Sequence, residues 1–304
     1  MGEPVRRGRL VVFEGADGAG TTTQAARLAA RLEAMGEHVV RVDQPARRPE
    51  MMTAPGALLR SMLAGRTELP ASALAMQALF VADRFEQYTR VIEPALERGA
   101  IVVSDRGELS TLVYGVATER LYRCKAPGCF YRTDFPMAPV DPASPEDLEA
   151  KDHNAQYLDE TGDRFGASLE RSWLLRHVLH RVGPEVSVHP HELLFVVPLL
   201  ANAFMAPHRL LRAPTLTLVL QVRAEETARR REARGAPIDA FDGASLQQRV
   251  GAAYGALRWL VAEALPGRYS PRSLRTVDAS GGVDIVESAV WTVVEPMLGR
   301  NVAG

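Results

Sequence analysis

The chain has 304 residues, with 36 Lys+Arg against 37 Asp+Glu and a formal net charge of −1. That balance excludes a generally basic nucleic-acid surface, and 46% apolar with 24% charged residues is the mix of a folded globular protein rather than a disordered one. Two cysteines, Cys124 and Cys129, are too few for a disulfide scaffold at this length. The N-terminal MGEPVRRGRL has no apolar run of signal-peptide length, and Arg6 breaks the myristoylation pattern. The longest apolar stretch, 193–205, is short, carries Pro198 and reads as a buried helix, so no membrane span and a cytoplasmic location are expected.

In chain order, 9–13 (RLVVF) reads as a buried strand that stops at Glu14-Gly15. A Gly-rich turn follows, and then a helix in which Ala26, Leu28, Ala29, Leu32 and Met35 recur at helical spacing up to the C-cap position Gly36. Residues 38–45 read as a strand ended by Pro45, completing a βαβ unit. Residues 71–98 read as one or two helices and 101–104 as a short buried strand before Asp105-Arg106. A strand at 215–222, an Arg-rich helix after it, a long amphipathic helix at 245–265, a strand at 276–280 and a last helix at 282–298 complete the pattern. Alternating strands and helices predict an α/β fold, a parallel sheet covered by helices on both faces. The stretch 116–190 breaks the rhythm. It holds both cysteines and both lysines, Lys125 and Lys151, and reads as a subdomain inserted within a single domain spanning 1–304.

Residues 15–22, GADGAGTT, follow the phosphate-loop pattern G-x-x-x-x-G-K-[ST] at Gly15, Gly20 and Thr22. Such a loop, with Asp17, Gly18, Thr21 and Thr23 beside those three, turns its backbone N–H groups and a helix N-terminus toward phosphate oxygens. Thr22 is placed to ligate Mg²⁺. The lysine position holds Thr21, which offers a neutral hydrogen bond but no charge, and charge-assisted bonds are roughly twice as strong as neutral ones. Either another cation takes over or the site binds without efficient turnover.

Several separated segments resemble the thymidylate kinase family: FEGADGAGTTTQAARLAARLEAMG at 13–36, DQPARR at 43–48, FVADRFEQ at 80–87, IVVSDRGELSTLVYG at 101–115, the strand and Arg-rich helix at 214–235, and DAS at 278–280. The resemblance implies a P-loop kinase fold, a homodimer, and transfer of the ATP γ-phosphoryl group to dTMP with Mg²⁺. It implies that Asp17 lies near the acceptor's sugar and that Arg47 and Arg106 hold its phosphate. Phe80 would stack on the base, Arg84 would bond its edge, and Ser110 and Tyr114 would line the pocket. Asp105 would act through the Mg²⁺ hydration shell, while Arg230 and Arg234 would close over the transferring group. Of these, Asp105, Arg106, Arg230 and Arg234 are the candidate catalytic residues.

Departures from the family pattern are Thr21, Gly107 in place of Tyr or His, Asp239-Ala240 where an Asp-Arg is expected in the lid, and the insertion. Arg229, Arg230, Arg231 or Arg234, or Arg120, Arg123 and Arg132 of the insertion, could supply the missing charge. Thr21 keeps open a nucleotide-binding protein that has lost efficient transfer, and Gly107 with the insertion keeps open a kinase of a different nucleotide. Cys124 and Cys129, four residues apart, have a spacing permitted in zinc sites, but no second pair completes four ligands, and a reduced, non-ligating pair is the favoured reading.

Overall fold

The computed structural model describes residues 8–68, 73–118, 204–234, 244–255 and 257–298. Most of the expected insertion, with both cysteines, both lysines, Arg120, Arg123, Arg132 and nearly all of the apolar stretch 193–205, lies outside the described residues, as does Asp239-Ala240.

Five strands form the sheet: β1 (Arg9–Glu14), β2 (Val39–Asp43), β3 (Ile101–Asp105), β4 (Leu216–Gln221) and β5 (Leu274–Asp278). They lie in the order β2-β3-β1-β4-β5, and every pairing is parallel. Strands β1 and β3 are buried on both faces, which explains why RLVVF and IVVS read as continuous apolar runs rather than alternating ones.

Register divides each strand between two cores. Val11 and Phe13 of β1 join Leu216, Leu218 and Val277 under α1 (Thr21–Ala34) and the C-terminal helix Val283–Val294. Leu10 and Val12 face the other way and pack on Tyr88, Ile92 and Leu96. Further along that second face, helix Glu108–Thr118 packs on helices Ala244–Gly255 and Leu257–Ala264. The sequence pattern at 245–265 reads as one helix; two are found, the first ending at Gly255, a residue that disfavours helix interiors by roughly 1 kcal/mol.

In chain order the helices are α1, α2 (Ala54–Leu63), α3 (Ala73–Gln87), α4 (Glu93–Glu97), α5 (Glu108–Thr118), α6 (Ala224–Arg234), α7 (Ala244–Gly255), α8 (Leu257–Ala264) and α9 (Val283–Val294). A π-helical turn, Tyr88–Ile92, joins α3 to α4. The pattern along 46–68 points to no element, yet α2 forms there. Its signal is Thr53, whose side chain accepts a hydrogen bond from Gly56 N–H as an N-cap, followed by Pro55 in the first turn. Helix α1 buries Thr21, Gln24, Ala25, Leu28, Ala29 and Leu32 along one stripe and stops at Gly36, where Glu37 N–H returns to the Leu32 carbonyl at 3.1 Å.

Candidate active site

Sheet order places the site. β1 lies between β3 and β4, and in open parallel sheets the crevice at such a switch point, beyond the carboxyl ends of the strands, takes the ligand. Phe13 of β1 is paired with Asp105 of β3, so the turn after β1 and the Asp-Arg after β3 emerge side by side.

The turn itself needs glycine at two positions. Gly18 and Gly20 have φ of +93° and +96°, and Gly20 is the N-cap of α1. Thr21 is buried at the first turn of α1, Thr22 is half-buried and Thr23 is exposed. Thr22 donates its hydroxyl to Asp105 Oδ2 at 2.5 Å. Donating leaves the Thr22 oxygen lone pairs available, and Asp105 Oδ1 is buried without a partner among the described residues. A hard cation with water ligands fits that donor set. No group of three or more His, Cys, Asp or Glu side chains converges among the described residues.

Arg106 adopts φ +74°, a left-handed conformation that costs a non-Gly residue about 1–2 kcal/mol. Three contacts hold it there. Its N–H donates to Phe13 O at 2.8 Å, Ser104 Oγ donates to its carbonyl at 2.6 Å, and the next N–H, of Gly107, donates to Glu14 Oε1 at 2.9 Å. The guanidinium then points back at the loop, donating to Gly15 O at 3.0 Å and to Ser110 Oγ at 3.2 Å and pairing with Asp17. Asp17 also accepts from Tyr114 Oη at 2.8 Å and from Gln247 Nε2 at 2.7 Å. Burial would raise the Asp17 pKa, but Arg106, Tyr114 and Gln247 outweigh it and hold the carboxyl below its usual range.

Beneath them Glu14 is fully buried and takes four hydrogen bonds, from Gly107 N–H, Ser110 N–H, Ser110 Oγ and Tyr254 Oη. Burial dominates these contacts and raises its pKa. Glu14 caps the N-terminus of α5, a role that sequence reading missed although the residue stands at the end of β1. A side chain at Gly107 would place Cβ 2.8 Å from Val12 Cγ1, which accounts for the glycine there.

A pocket adjoins the loop. Asp17, Arg47, Phe80, Arg84, Arg106, Ser110 and Tyr114 line it, so all seven expected acceptor-side residues come together. Sequence reading missed Arg60, Gln77 and Thr111 on the same walls. Arg60 donates to the carbonyls of Pro45 and Ala46. Burial, and then the neighbouring Arg47, push its pKa down to about 10, which leaves it charged at neutral pH.

Arg84 is held on every side. Nε donates to Gln44 Oε1 at 2.7 Å, Nη1 to Thr111 Oγ1 and His208 Nε2 at 2.8 Å each, and Nη2 to Gly107 O at 2.8 Å. Arginine has no acceptor, so His208 Nε2 is the unprotonated nitrogen and its Nδ1–H donates to Phe204 O at 2.6 Å. Burial, with Arg84 adjacent, drives the His208 pKa down to about 2.

Helix α6 packs on the loop. Arg231 Nη1 donates to Asp17 O at 3.1 Å. Arg230 turns elsewhere, to Glu226 Oε1 at 2.6 Å and to the carbonyls of Ser280 and Gly281 at 3.3 and 3.2 Å, beside the 278–280 segment. Arg229 pairs with Glu226. The Arg234 side chain lies outside the described part of the structure.

The family model for thymidylate kinase matches residues 13–130. Over 110 residues, 35% of this chain and 51% of the relative, the sequence is 43% identical to a thymidylate kinase of Bifidobacterium longum strain DJO10A. Over 111 residues, 36% of this chain and 52% of the relative, it is 40% identical to a probable thymidylate kinase of Pyrococcus abyssi. The chain thus spans about half the length of the relatives it matches. The solved thymidylate kinase of Candida albicans shares the fold, with a TM-score of 0.55 at 20% identity over 97% of this chain and 94% of that one. The fold is thus shared with a solved thymidylate kinase, and residues 13–130 match the thymidylate kinase family model.

Proposed function

We propose that the protein is a nucleoside monophosphate kinase that transfers the ATP γ-phosphoryl group to dTMP, giving dTDP and ADP. The observation that carries this reading is the pocket beside the phosphate loop. One wall is the half-buried ring of Phe80 with Arg84; the rest includes the cations Arg47, Arg60 and Arg106. A flat base and a dianionic phosphate are what such a cavity complements, and planar guanidinium forks suit phosphate oxygens.

The chemistry asks for positioning and charge. An acceptor phosphate oxygen attacks the γ-phosphorus, a new P–O bond forms, the bond to the β–γ bridging oxygen breaks, and ADP leaves with that electron pair. The acceptor is already a dianion, so no side chain need remove a proton. Arg106, with Arg47 and Arg60, holds the acceptor, and Tyr114 and Asp17 steady Arg106. Mg²⁺, when bound, would neutralise donor phosphate charge; Thr22 and Asp105, whose Oδ1 has no partner among the described residues, are the residues fit to hold it, directly or through water.

Thr21 leaves the loop without its usual cation. Arg231 is the replacement we favour among the Arg-rich helix, because it already bonds a loop carbonyl while Arg229 and Arg230 are engaged with Glu226. Arg230 and Arg234 remain candidates to close over the donor.

The test is ADP formation with Mg²⁺-ATP and each (deoxy)nucleoside monophosphate in turn. Turnover with dTMP is expected. Turnover with another acceptor alone would reassign the substrate, and tight nucleotide binding without turnover would make this a binding protein. A homodimer rests on the resemblance alone, and light scattering reads it.

A further inference from the structure

Helix α3 presents Gln77, Phe80 and Arg84 at i, i+3 and i+7, on one face, and all three line the pocket. Gln77 is 1% exposed, and neither its Oε1 nor its Nε2 has a hydrogen-bond partner among the described residues. Buried amides are almost always satisfied, so an orphaned one calls for an explanation. Its neighbours do not supply one. Asp83 is taken by Thr53 and Gln87, and Gln44 Oε1 is taken by Arg84.

The rest of the base wall is rich in donors. Four of the five Arg84 N–H groups are spent on the protein, which leaves one on Nη2. Thr111 Oγ1 accepts from Arg84 and so has its own proton to give. Both groups seek an acceptor on the ligand. Gln77 adds the opposite capacity, a carbonyl oxygen that can take a ring N–H, with an NH₂ beside it to meet a carbonyl.

We infer that Gln77 is a specificity-determining residue that reads the imide edge of the acceptor's base, accepting from the ring N3–H while its amide nitrogen donates to a flanking carbonyl. The ligand class is a nucleoside monophosphate with an imide pyrimidine, thymine or uracil. This rests on the acceptor-pocket reading proposed above. It also explains why the free protein tolerates an unsatisfied amide: binding supplies the partners.

Titration calorimetry of the full chain with dTMP and with its N3-methyl analogue, on wild type and Gln77→Met, tests the inference. Met keeps the length of the side chain and removes both polar atoms. The ligand-free variant should melt no lower than wild type, since it removes a polar group with no partner among the described residues, and that melt confirms the fold. Wild type should prefer dTMP to the N-methyl analogue by about tenfold or more. Gln77→Met should lose that preference and bind dTMP about tenfold more weakly, with affinity for a non-hydrolysable ATP analogue unchanged. A folded variant that keeps both affinity and preference overturns the Gln77 assignment alone. A wild type that binds no nucleoside monophosphate overturns the pocket reading, and the Gln77 assignment falls with it.

Discussion

Thr21 begins α1 with a hydroxyl where a loop lysine would carry a charge, and two guanidiniums are bonded to the loop's own carbonyls: Arg106 to Gly15 O and Arg231 to Asp17 O. Arg106 is also committed to Asp17, so Arg231 is the freer of the two. Arg231→Ala should therefore lower kcat by about 10³-fold, the low end for an arginine that stabilises transferring phosphoryl charge, with little change in the KM for dTMP. Thr21→Lys should recover much of that loss in the Arg231→Ala background and add little to wild type. Steady-state kinetics on the four proteins of this cycle checks it, and additive effects would show that the two positions do not share a role. Residues of this kind were partly legible. Thr22 and Asp105 stand at fixed offsets from strands whose apolar runs are local signals. Glu14 was not, because its meaning depends on Tyr254, 240 residues away. Gln77 could have been found from its place one turn before Phe80 on the same helix face.

Helix α6 shows why an element can be read and its role missed. AEETARRREAR is plainly helical, but its docking depends on what faces it. The carbonyl of Thr227 and the stem of Arg231 lie against Gly18, where a Cβ would come within 2.6 and 3.3 Å of them. Gly18→Ala must push α6 off the loop and hold an L-residue at φ +93°, a conformation that alone costs roughly 1–2 kcal/mol. The expected outcome is a raised KM for ATP and faster tryptic cleavage within Ala224–Arg234, a segment rich in arginine. Time courses of trypsin digestion with and without an ATP analogue would show it. An unchanged cleavage rate would mean that α6 is not held by this contact. Helix α2 makes the converse point. Its cap at Thr53 and Pro55 was readable, but a short helix without a strong apolar stripe does not announce itself by periodicity.

At the scale of the molecule, the segment that matches relatives, 13–130, supplies the loop and most of the pocket, and the chain from 204 onward closes over it through Arg231, Gln247, Tyr254 and His208. That second half was the less legible one, because each of these contacts crosses more than a hundred residues. His208 makes the joint testable by pH. Its pKa falls from an ordinary 6.5 to about 2, through burial and the Arg84 charge, with Arg268 a further cation acting on it. Between those values the unfolded chain binds a proton that the folded chain refuses. Its contribution to stability is thus complete above about pH 6.5 and is lost as the pH falls, by about 1.4 kcal/mol per pH unit. Glu14 works in the opposite sense. Its raised pKa favours the folded state at low pH, and that gain is lost as the pH rises through its folded value. The two are separated by His208→Gln, which keeps an uncharged acceptor for Arg84 and cannot take up a proton. Urea unfolding at pH 7.5, 6.5 and 5.5 should show wild type losing stability relative to this variant by about 1 kcal/mol over the last unit and only about 0.3 kcal/mol over the first. Parallel pH profiles for the two proteins would mean that His208 is free to protonate in the folded state, and then Arg84 would not be held from the second half of the chain.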